Sequence, residues 1–143
     1  MACPDNTFTL WPFHMFNDDT PDEDELLDFC LKFDGEVVTG TVTDDEGHPL
    51  SSDDKVSGMR LPIGQTGKYF MNLVFRWDKQ REAIEVFMGG FIFTDSSDVT
   101  HFNGRFRATR IDAQLAPSGA APQLTTLPPP DDGDTGTGTG QQT

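Results

Sequence analysis

Two aromatic side chains on one alternating stretch of the sequence have the chemistry to bind a small ligand. In KYFMNLVFRW, residues 68–77, Tyr69, Leu73 and Trp77 fall on one face, because side chains in a strand alternate between its two faces. If a sheet closes around this face, Trp77 supplies an aromatic wall and the hydroxyl of Tyr69 orients a small apolar ligand. The alternative is that both rings belong to a filled core, as in most small barrels. The other aromatic side chains available to fill such a core are Phe29, Phe75, Phe91, Phe93, Phe102 and Phe106.

The two halves of the chain carry opposite charge, although the whole chain has a net charge of -14. Residues 1–54 include 15 acidic side chains and one basic one, whereas residues 55–116 include 6 acidic and 9 basic ones. Such asymmetry favours association between an acidic surface and a basic surface. Pairing of the two halves inside one folded domain is the alternative explanation.

Three arginines close together in HFNGRFRATR predict a basic stripe. Arg105 and Arg107 share the outward face of one predicted strand, and Arg110 follows shortly after. We predict that this stripe binds an acidic segment of a second subunit or of another protein. The acidic residues predicted to bind it are Asp22, Glu23, Asp24 and Glu25. The competing interpretation is pairing within one subunit, for which the candidate partners are Glu82, Glu85 and Asp112.

Neither a catalytic motif nor a metal-ligand spacing occurs in the sequence. The acidic run NDDTPDEDE, residues 17–25, has carboxylates for calcium but lacks the spaced aspartates and distal glutamate of a calcium loop. The histidines His14, His48 and His101 are far apart in the chain, and no nucleophile lies next to a base in a known motif. We therefore expect no catalytic residue, no cofactor and no metal ion.

Charge and chain pattern restrict the environment of the protein. Its negative charge opposes binding to nucleic acid and to anionic membranes, because both attract lysine and arginine. The first residues, MACPDNTFTLW, lack the basic and apolar regions of a secretory signal, and no apolar run is long enough to span a bilayer. These features predict a cytoplasmic protein. Cys3 and Cys30 are then expected to be reduced, with one disulfide that ties down the N-terminus as the alternative.

Alternation of apolar and polar residues with a period of two dominates residues 7–110, which predicts an all-β fold. Short turn sequences separate the alternating stretches, and short links join antiparallel neighbours. We predict an antiparallel meander of seven or eight strands, with strands near 7–16, 26–34, 36–43, 55–61, 68–77, 82–94 and 99–111. A helix of one or two turns is predicted for TPDEDELL, residues 20–27, from its capping residues.

The composition changes at Ala116, and we place a domain boundary there. Residues 1–115 form the predicted β domain. Residues 116–143 are dense in Pro, Gly, Thr and Asp and poor in large apolar residues, so they cannot bury enough surface to offset the entropy of ordering. They are predicted to be a flexible tail, with a strand added by TGTGTG to some sheet edge as the alternative.

Glycines within the predicted strands suggest a strongly curved sheet. They are Gly40, Gly58, Gly89, Gly90 and Gly104. Glycine in a strand costs about 0.5–1 kcal/mol relative to alanine, and coiled sheets bend at such positions. We therefore predict a closed or nearly closed β-barrel, with a curved open sheet or a two-sheet sandwich as the alternative.

The succession GEVVTGTVTD, VSGMRL, NLVFRWD and FMGGFIF resembles the strand rhythm of small up-and-down barrels such as avidins, and also of lipocalin-like and allene-oxide-cyclase-like barrels. The resemblance implies that small apolar ligands bind inside the barrel, and for some of the last group that cyclisations occur there. Trp77 falls where an avidin would place a ligand-stacking tryptophan. The stretch VFMGGF lacks the next tryptophan of that family, so biotin binding is not implied.

We therefore predict a non-enzymatic β-barrel module that recognises a ligand or a protein partner and self-associates. The alternative is a small β-barrel enzyme, of the cyclase or isomerase type, that acts on an apolar substrate in the lumen. A structural subunit of a larger assembly is the third possibility.

Overall fold

The computed structural model describes residues 3, 5–79, 82–111 and 124–143. Its strands are β1 (Thr9–Asn17), β2 (Thr20–Asp34), β3 (Val37–Asp44), β4 (Lys55–Pro62), β5 (Tyr69–Lys79), β6 (Glu82–Thr94), β7 (Thr100–Ile111) and β8 (Thr135–Gln141). Each strand pairs antiparallel with the next, and β8 pairs with β1, so the sheet closes into a barrel. The predicted all-β antiparallel barrel is confirmed. The described residues contain no helix that is long and apolar enough to cross a membrane.

The interior of the barrel is filled by the inward face of each strand. A row of aromatic rings crosses it, with 4.6 Å between the ring centres of Phe13 and Phe29, and 5.3 Å from Phe29 to Phe75. Phe102 stacks on the other side of Phe13 at 5.3 Å. These residues are buried, and such burial of large apolar side chains is the main contribution to the stability of the fold.

β2 begins at Thr20, so the predicted helix over residues 20–27 is wrong. The register pairs His14 of β1 with Leu26 of β2, which gives this stretch main-chain hydrogen bonds to a neighbouring strand. The capping residues favour only one or two helical turns, and isolated helices of that length are marginal in water. Pairing with a strand that the barrel already holds therefore outweighs the local preference.

Residues 135–141 form β8, so the prediction of a flexible tail is wrong for this part of the chain. β8 pairs with both β7 and β1 and belongs to the same sheet as the seven earlier strands. Its inward positions are glycines, and side chains of other strands fill the space beneath them, so β8 needs no large apolar residue of its own. The first part of the predicted tail, residues 116–123, lies outside the described residues.

Two inward glycines show how closely the strands approach one another. A Cβ atom on Gly40 would overlap the carbonyl oxygen of Cys30, and one on Gly90 would overlap the carbonyl oxygen of Asn103. In both cases the backbone of the neighbouring strand occupies the volume in which a side chain would begin. The curvature of the barrel therefore depends on glycine at these positions.

A loop and the N-terminal segment pack against the barrel. Leu50, in the loop between β3 and β4, is fully buried, and the main-chain N–H of Asp78 donates to its carbonyl oxygen at 2.9 Å. Cys3 and Cys30 form a disulfide with 5.7 Å between their Cα atoms. The expected reduced state of this pair is wrong, and the alternative of one bridge is correct. The bridge holds the N-terminal segment against the outer face of β2.

Candidate functional site

The interior around Trp77 is a packed core. Trp77 and Trp11 are fully buried in the same cluster as Phe75. Their indole N–H groups have no hydrogen-bond acceptor among the described residues, whereas most buried donors in proteins are paired. Trp77 thus lines the lumen as expected, but packed side chains surround it, and its role in ligand binding stays a prediction.

Tyr69 lies at the opposite end of β5 from Trp77. The two are eight positions apart, or about 26 Å at the usual rise of a strand, so one small ligand does not contact both. The guanidinium carbon of Arg60 lies 4.8 Å from the ring centre of Tyr69 and 4.5 Å from that of Phe33. Arg60 Nε also donates to the carbonyl oxygen of Gly35 at 3.1 Å. The ring of Tyr69 is therefore engaged in a cation–π contact within the chain.

The predicted arginine stripe is largely paired within the chain. Arg105 donates two hydrogen bonds to Asp18, one of them 3.1 Å from Nη1 to Oδ1. This contact lowers the pKa of Asp18 and raises the pKa of Arg105. Arg110 Nη1 lies 3.6 Å from a carboxylate oxygen of Glu82, which is the pairing named as the competing interpretation. Asp112, another candidate partner, lies outside the described residues.

Arg107 differs from the other two arginines. Its side chain is exposed, and it has no ion-pair partner among the residues that the structure describes. Within the described residues, Arg107 is therefore the one of the three arginines whose charge is not paired.

The predicted acidic segment is divided between the two faces of β2. Asp22 and Asp24 face outward, and Oδ2 of Asp24 lies 2.8 Å from Nδ1 of His14. Glu23 and Glu25 line a cavity of about 250 Å³ at one mouth of the barrel. Burial, reinforced by the charge of Glu23, raises the pKa of Glu25 to about 7. The four acidic residues therefore do not form one surface, and no metal-binding cluster of three or more ligands occurs in the described part of the chain.

An exposed apolar surface, which the sequence analysis did not predict, covers the outer wall of strands β3 to β6. Its six large side chains are between 37% and 55% exposed. They are Val37, Met59, Leu61, Phe70, Phe87 and Phe91, and we call them the apolar wall patch. The register makes this patch continuous, because it pairs Val37 with Met59, Leu61 with Phe70, and Phe70 with Phe91.

Strand β6 is apolar on both faces, and this was the available sequence signal for the patch. In EVFMGGFIF one apolar face is buried and the other, with Phe87 and Phe91, points outward. Phe91 and Phe93 were expected among the core-filling rings. Phe91 is 52% exposed instead, and the ring of Phe93 stacks on His101 with 5.2 Å between ring centres. That expectation is wrong because a barrel wall buries only one face of each strand.

Gly89 leaves a recess at the centre of the patch, between Phe87 and Phe91. A Cβ atom added to Gly89 would lie 3.6 Å from Cε1 of Phe87 and 3.8 Å from Cζ of Phe70, which are ordinary van der Waals distances. The barrel therefore has room for a side chain at Gly89, in contrast to Gly90 beside it. Packing therefore does not require glycine here, and the missing side chain leaves open surface next to the rings of Phe87 and Phe70.

Basic side chains border the patch on the β7 side. The register pairs Phe87 with Arg107 and Gly89 with Arg105. Aromatic and arginine side chains are enriched at the centres of protein interfaces, which have apolar cores and polar rims. The outer wall of β4 to β7 therefore has the chemistry of a protein-binding surface.

Comparison with known proteins does not assign this surface a role. No protein-family model matches the chain, and searches of curated proteins and of solved structures found no significant match.

Proposed function

We propose that the protein is a non-enzymatic recognition module that binds a second copy of itself through the apolar wall patch. The observation that carries this proposal is the exposure of three phenylalanine rings, Phe70, Phe87 and Phe91, around the recess at Gly89. With an aromatic side chain taken as about 200 Å², the six side chains of the patch together expose roughly 500 Å². Contiguous apolar patches of this size on soluble proteins often mark binding sites.

The size of the patch suits the centre of a protein interface. A standard interface buries about 800 Å² on each partner. Polar residues next to the patch, such as Ser57 and Arg107, supply the remaining area as a rim. The apolar centre contributes most of the affinity, because rim contacts are solvated and individually weak.

The distribution of charge favours a second copy as the partner. A net charge of -14 opposes the approach of two copies in most orientations. Nine of the ten basic residues lie between Lys55 and Arg110, the part of the sequence that also carries five of the six patch residues. Contact between two patches therefore joins the less acidic parts of the two copies and leaves the acidic strand β2 of each copy away from the contact, where the repulsion is smallest.

Arg107 is the residue to which we assign the electrostatic contact in this dimer. It borders Phe87, and it has no ion-pair partner in the described part of the chain. Glu85 is exposed two positions before Phe87 on the same outer face of β6. In a two-fold contact, Arg107 of one copy can therefore approach Glu85 of the other, which fixes the orientation more than the affinity.

Light scattering coupled to size exclusion tests the proposal. In freshly prepared samples at high micromolar concentration, the wild type is expected to be a dimer. The double variant Phe87→Lys/Phe91→Lys is expected to be a folded monomer with an unchanged circular dichroism spectrum. Leu26→Lys is the matched control, since Leu26 is 38% exposed on the outer face of β2 and outside the patch. A wild type that stays monomeric at every concentration contradicts the proposal.

Salt distinguishes the patch from the arginine-to-acid contact that the sequence suggested. Salt screens the repulsion between two acidic copies, so a dimer held by the patch is expected to become tighter as ionic strength rises. A dimer held by arginines against Asp22 to Glu25 becomes weaker under the same change. A dimer that weakens as the salt concentration rises would therefore indicate that the arginine stripe, and not the patch, forms the interface.

A small apolar ligand in the lumen is a second candidate, favoured by one observation. The indole N–H groups of Trp11 and Trp77 are buried without an acceptor among the described residues, and an unpaired buried donor is costly. A ligand with an oxygen near either ring would remove this cost. Tryptophan fluorescence is then expected to shift on addition of an apolar probe, and less so in Trp77→Phe; a wild type that does not respond to such probes contradicts this candidate.

We propose an oxidising compartment as the working environment, in place of the cytoplasm expected from the sequence. The disulfide between Cys3 and Cys30 supports this, because such bonds persist in oxidising environments and are rare in the cytosol. Thiol titration of protein purified from its native source without reductant is expected to find neither cysteine free. Two free thiols would favour the cytoplasm.

A further inference from the structure

Strand β8 contributes no side chain to the core of the barrel. Its inward positions are Gly136, Gly138 and Gly140, which alternate with outward threonines. The side chains that occupy the volume beneath these glycines come from three other strands and are Phe106, Met88 and Phe13. Each of the other strands has buried apolar side chains of its own, so β8 is held in a different way.

Main-chain pairing holds β8 in place. It pairs with residues 13–17 of β1 and with residues 101–107 of β7, and we call the space between these two segments the β8 slot. Among the side chains of β8, Thr135 donates from Oγ1 to Oδ2 of Asp18 at 2.8 Å. Any extended segment offers the same main-chain groups, so the slot accepts another segment if the side chains of that segment fit.

The β8 slot requires glycine at the inward positions. A Cβ atom on Gly136 would overlap the carbonyl oxygen of Phe16, and one on Gly140 would overlap the ring of Phe13. A Cβ atom on Gly138 would lie 2.8 Å from Sδ of Met88, a flexible side chain that can move. The slot therefore selects an extended segment with glycine at alternate positions, most strictly at the position of Gly136.

We propose that the β8 slot exchanges its own strand for residues 135–141 of a second copy. That segment, TGTGTGQ, carries the required glycines. The residues before it are anchored on the same barrel, because Gly133 N donates to the carbonyl oxygen of Ala108 at 2.9 Å and Ala108 N donates to that of Asp134 at 2.8 Å. The strand can therefore leave from Thr135 onward while the preceding residues stay bound.

Exchange of β8 is expected to be slow. Departure of the strand exposes the rings of Phe13 and Phe106, so the open state is rare. An incoming strand covers these rings again, which drives its binding. The slot lies on β1 and β7 and the apolar wall patch on β3 to β6, so this inference goes beyond the proposed dimer and does not depend on it.

A labelled peptide with the sequence of residues 134–143, DTGTGTGQQT, tests the proposal on the full chain. The protein is mixed with excess peptide under native conditions, and label bound to the protein is measured by size exclusion over time. Incorporation is expected to follow a single slow rate that becomes independent of peptide concentration, since departure of the resident strand limits it. No incorporated label after a day overturns the proposal.

Two variant peptides separate recognition by the slot from non-specific adhesion. The peptide with Gly136→Ala differs by one methyl group, which would overlap the backbone at Phe16, and its incorporation is expected to be about 100-fold lower. The peptide with Gly138→Ala is expected to lose only about three-fold, because Met88 can move. Equal incorporation of all three peptides overturns the proposal.

Exchange between copies is measured by mixing two preparations of the full chain that differ in isotopic mass. Long incubation at high concentration is expected to give a mixed dimer that persists on dilution, and excess DTGTGTGQQT peptide is expected to suppress it. The same dimer is expected from the Phe87→Lys/Phe91→Lys variant, which separates strand exchange from association through the patch. If the peptide is incorporated but no persistent dimer forms, the proposal that a second copy occupies the slot is wrong.

Discussion

The outer surfaces on the two sides of the barrel follow the same alternation but present different chemistry. On β4 to β6 the outward positions hold most of the apolar wall patch, and these side chains are exposed. On β2 the outward positions hold acidic residues such as Asp24, and the disulfide from Cys3 brings the N-terminal segment over Cys30. Folding of a barrel requires at most one apolar face on any strand. The second apolar face of β6 exceeds that requirement, which is why we assign it to binding.

The largest expected effect on stability comes from adding a methyl group at one of the two adjacent glycines of β6, which face opposite sides of the barrel wall. Gly90→Ala is expected to lower the free energy of unfolding by about 3 kcal/mol or more, because the new Cβ overlaps the backbone at Asn103. Gly89→Ala is expected to change it by less than about 0.5 kcal/mol, since its Cβ makes ordinary contacts. Urea unfolding measures both, and equal losses would show that the outer glycine is structural too.

The next largest effect is expected on the acidic side, where the disulfide covers the sheet. Cys3→Ser removes a bridge between residues 27 positions apart and is expected to lower the free energy of unfolding by about 3 kcal/mol, because the unfolded chain gains freedom. Thermal unfolding of the variant should match that of the reduced wild type. The affinity of the dimer, measured under the same reducing conditions, should not change; a weaker dimer would mean that the two sides are coupled.

A smaller effect is expected at Glu25, at the mouth of the barrel on the acidic side. Its pKa of about 7 lies above the ordinary value of 4.5, so the folded chain holds this proton more tightly than the unfolded chain. The resulting stabilisation is fully present below pH 4.5 and is lost as the pH rises through 7. Because Glu25 is partly exposed, we expect the free energy of unfolding to fall by only about 1 kcal/mol between pH 5 and 8.

Urea unfolding of Glu25→Gln across this pH range checks the assignment. The variant is expected to lack this part of the pH dependence and to be more stable than the wild type at pH 8. Glu85→Gln makes the same chemical change on the side that carries the patch and serves as the control. An unchanged pH dependence in Glu25→Gln would show that Glu25 is not the group responsible for it.

The smallest effect is expected at the border of the patch. Arg107→Gln is expected to weaken the dimer about three-fold, since a rim charge contributes little to affinity. Arg105→Gln is the matched control, because Arg105 is paired with Asp18 in its own chain. Analytical ultracentrifugation of both variants measures the difference. An equal loss in the two would mean that the whole stripe takes part in the interface.

Most of the strands from β1 to β7 were predictable because apolar and polar residues alternate along them and turn sequences separate them. β8 was not predictable on the same grounds, since its inward positions are glycines and its apolar support comes from Phe13, Met88 and Phe106 on other strands. The sequence of residues 135–141 alone does not show that side chains of other strands will pack beneath them. The start of β2 was missed for a related reason. Its residues favour a short helix locally, but pairing with β1 makes them a strand.

The candidate site was less predictable than the fold. Phe87 and Phe91 are as apparent in the sequence as the core residues of β6, but alternation alone does not show which of the two apolar faces of the strand lies inside the barrel. Closure of the barrel decides this. The charges were visible too, yet whether Arg105 binds Asp18 or a partner depends on which strands become neighbours.

The overhang of β2 beyond the barrel has a consequence for solubility. β2 pairs with β3 only from Leu27 onward, so within the described residues the main chain of residues 20–26 has a neighbour strand on one side alone. An open edge of this kind can template strand addition and lead to aggregation. Pro21 has no N–H to donate, and the like charges from Asp22 to Glu25 repel an approaching copy. We therefore expect the acidic run to oppose edge-to-edge stacking of copies, a protection that strongly acidic solution would remove.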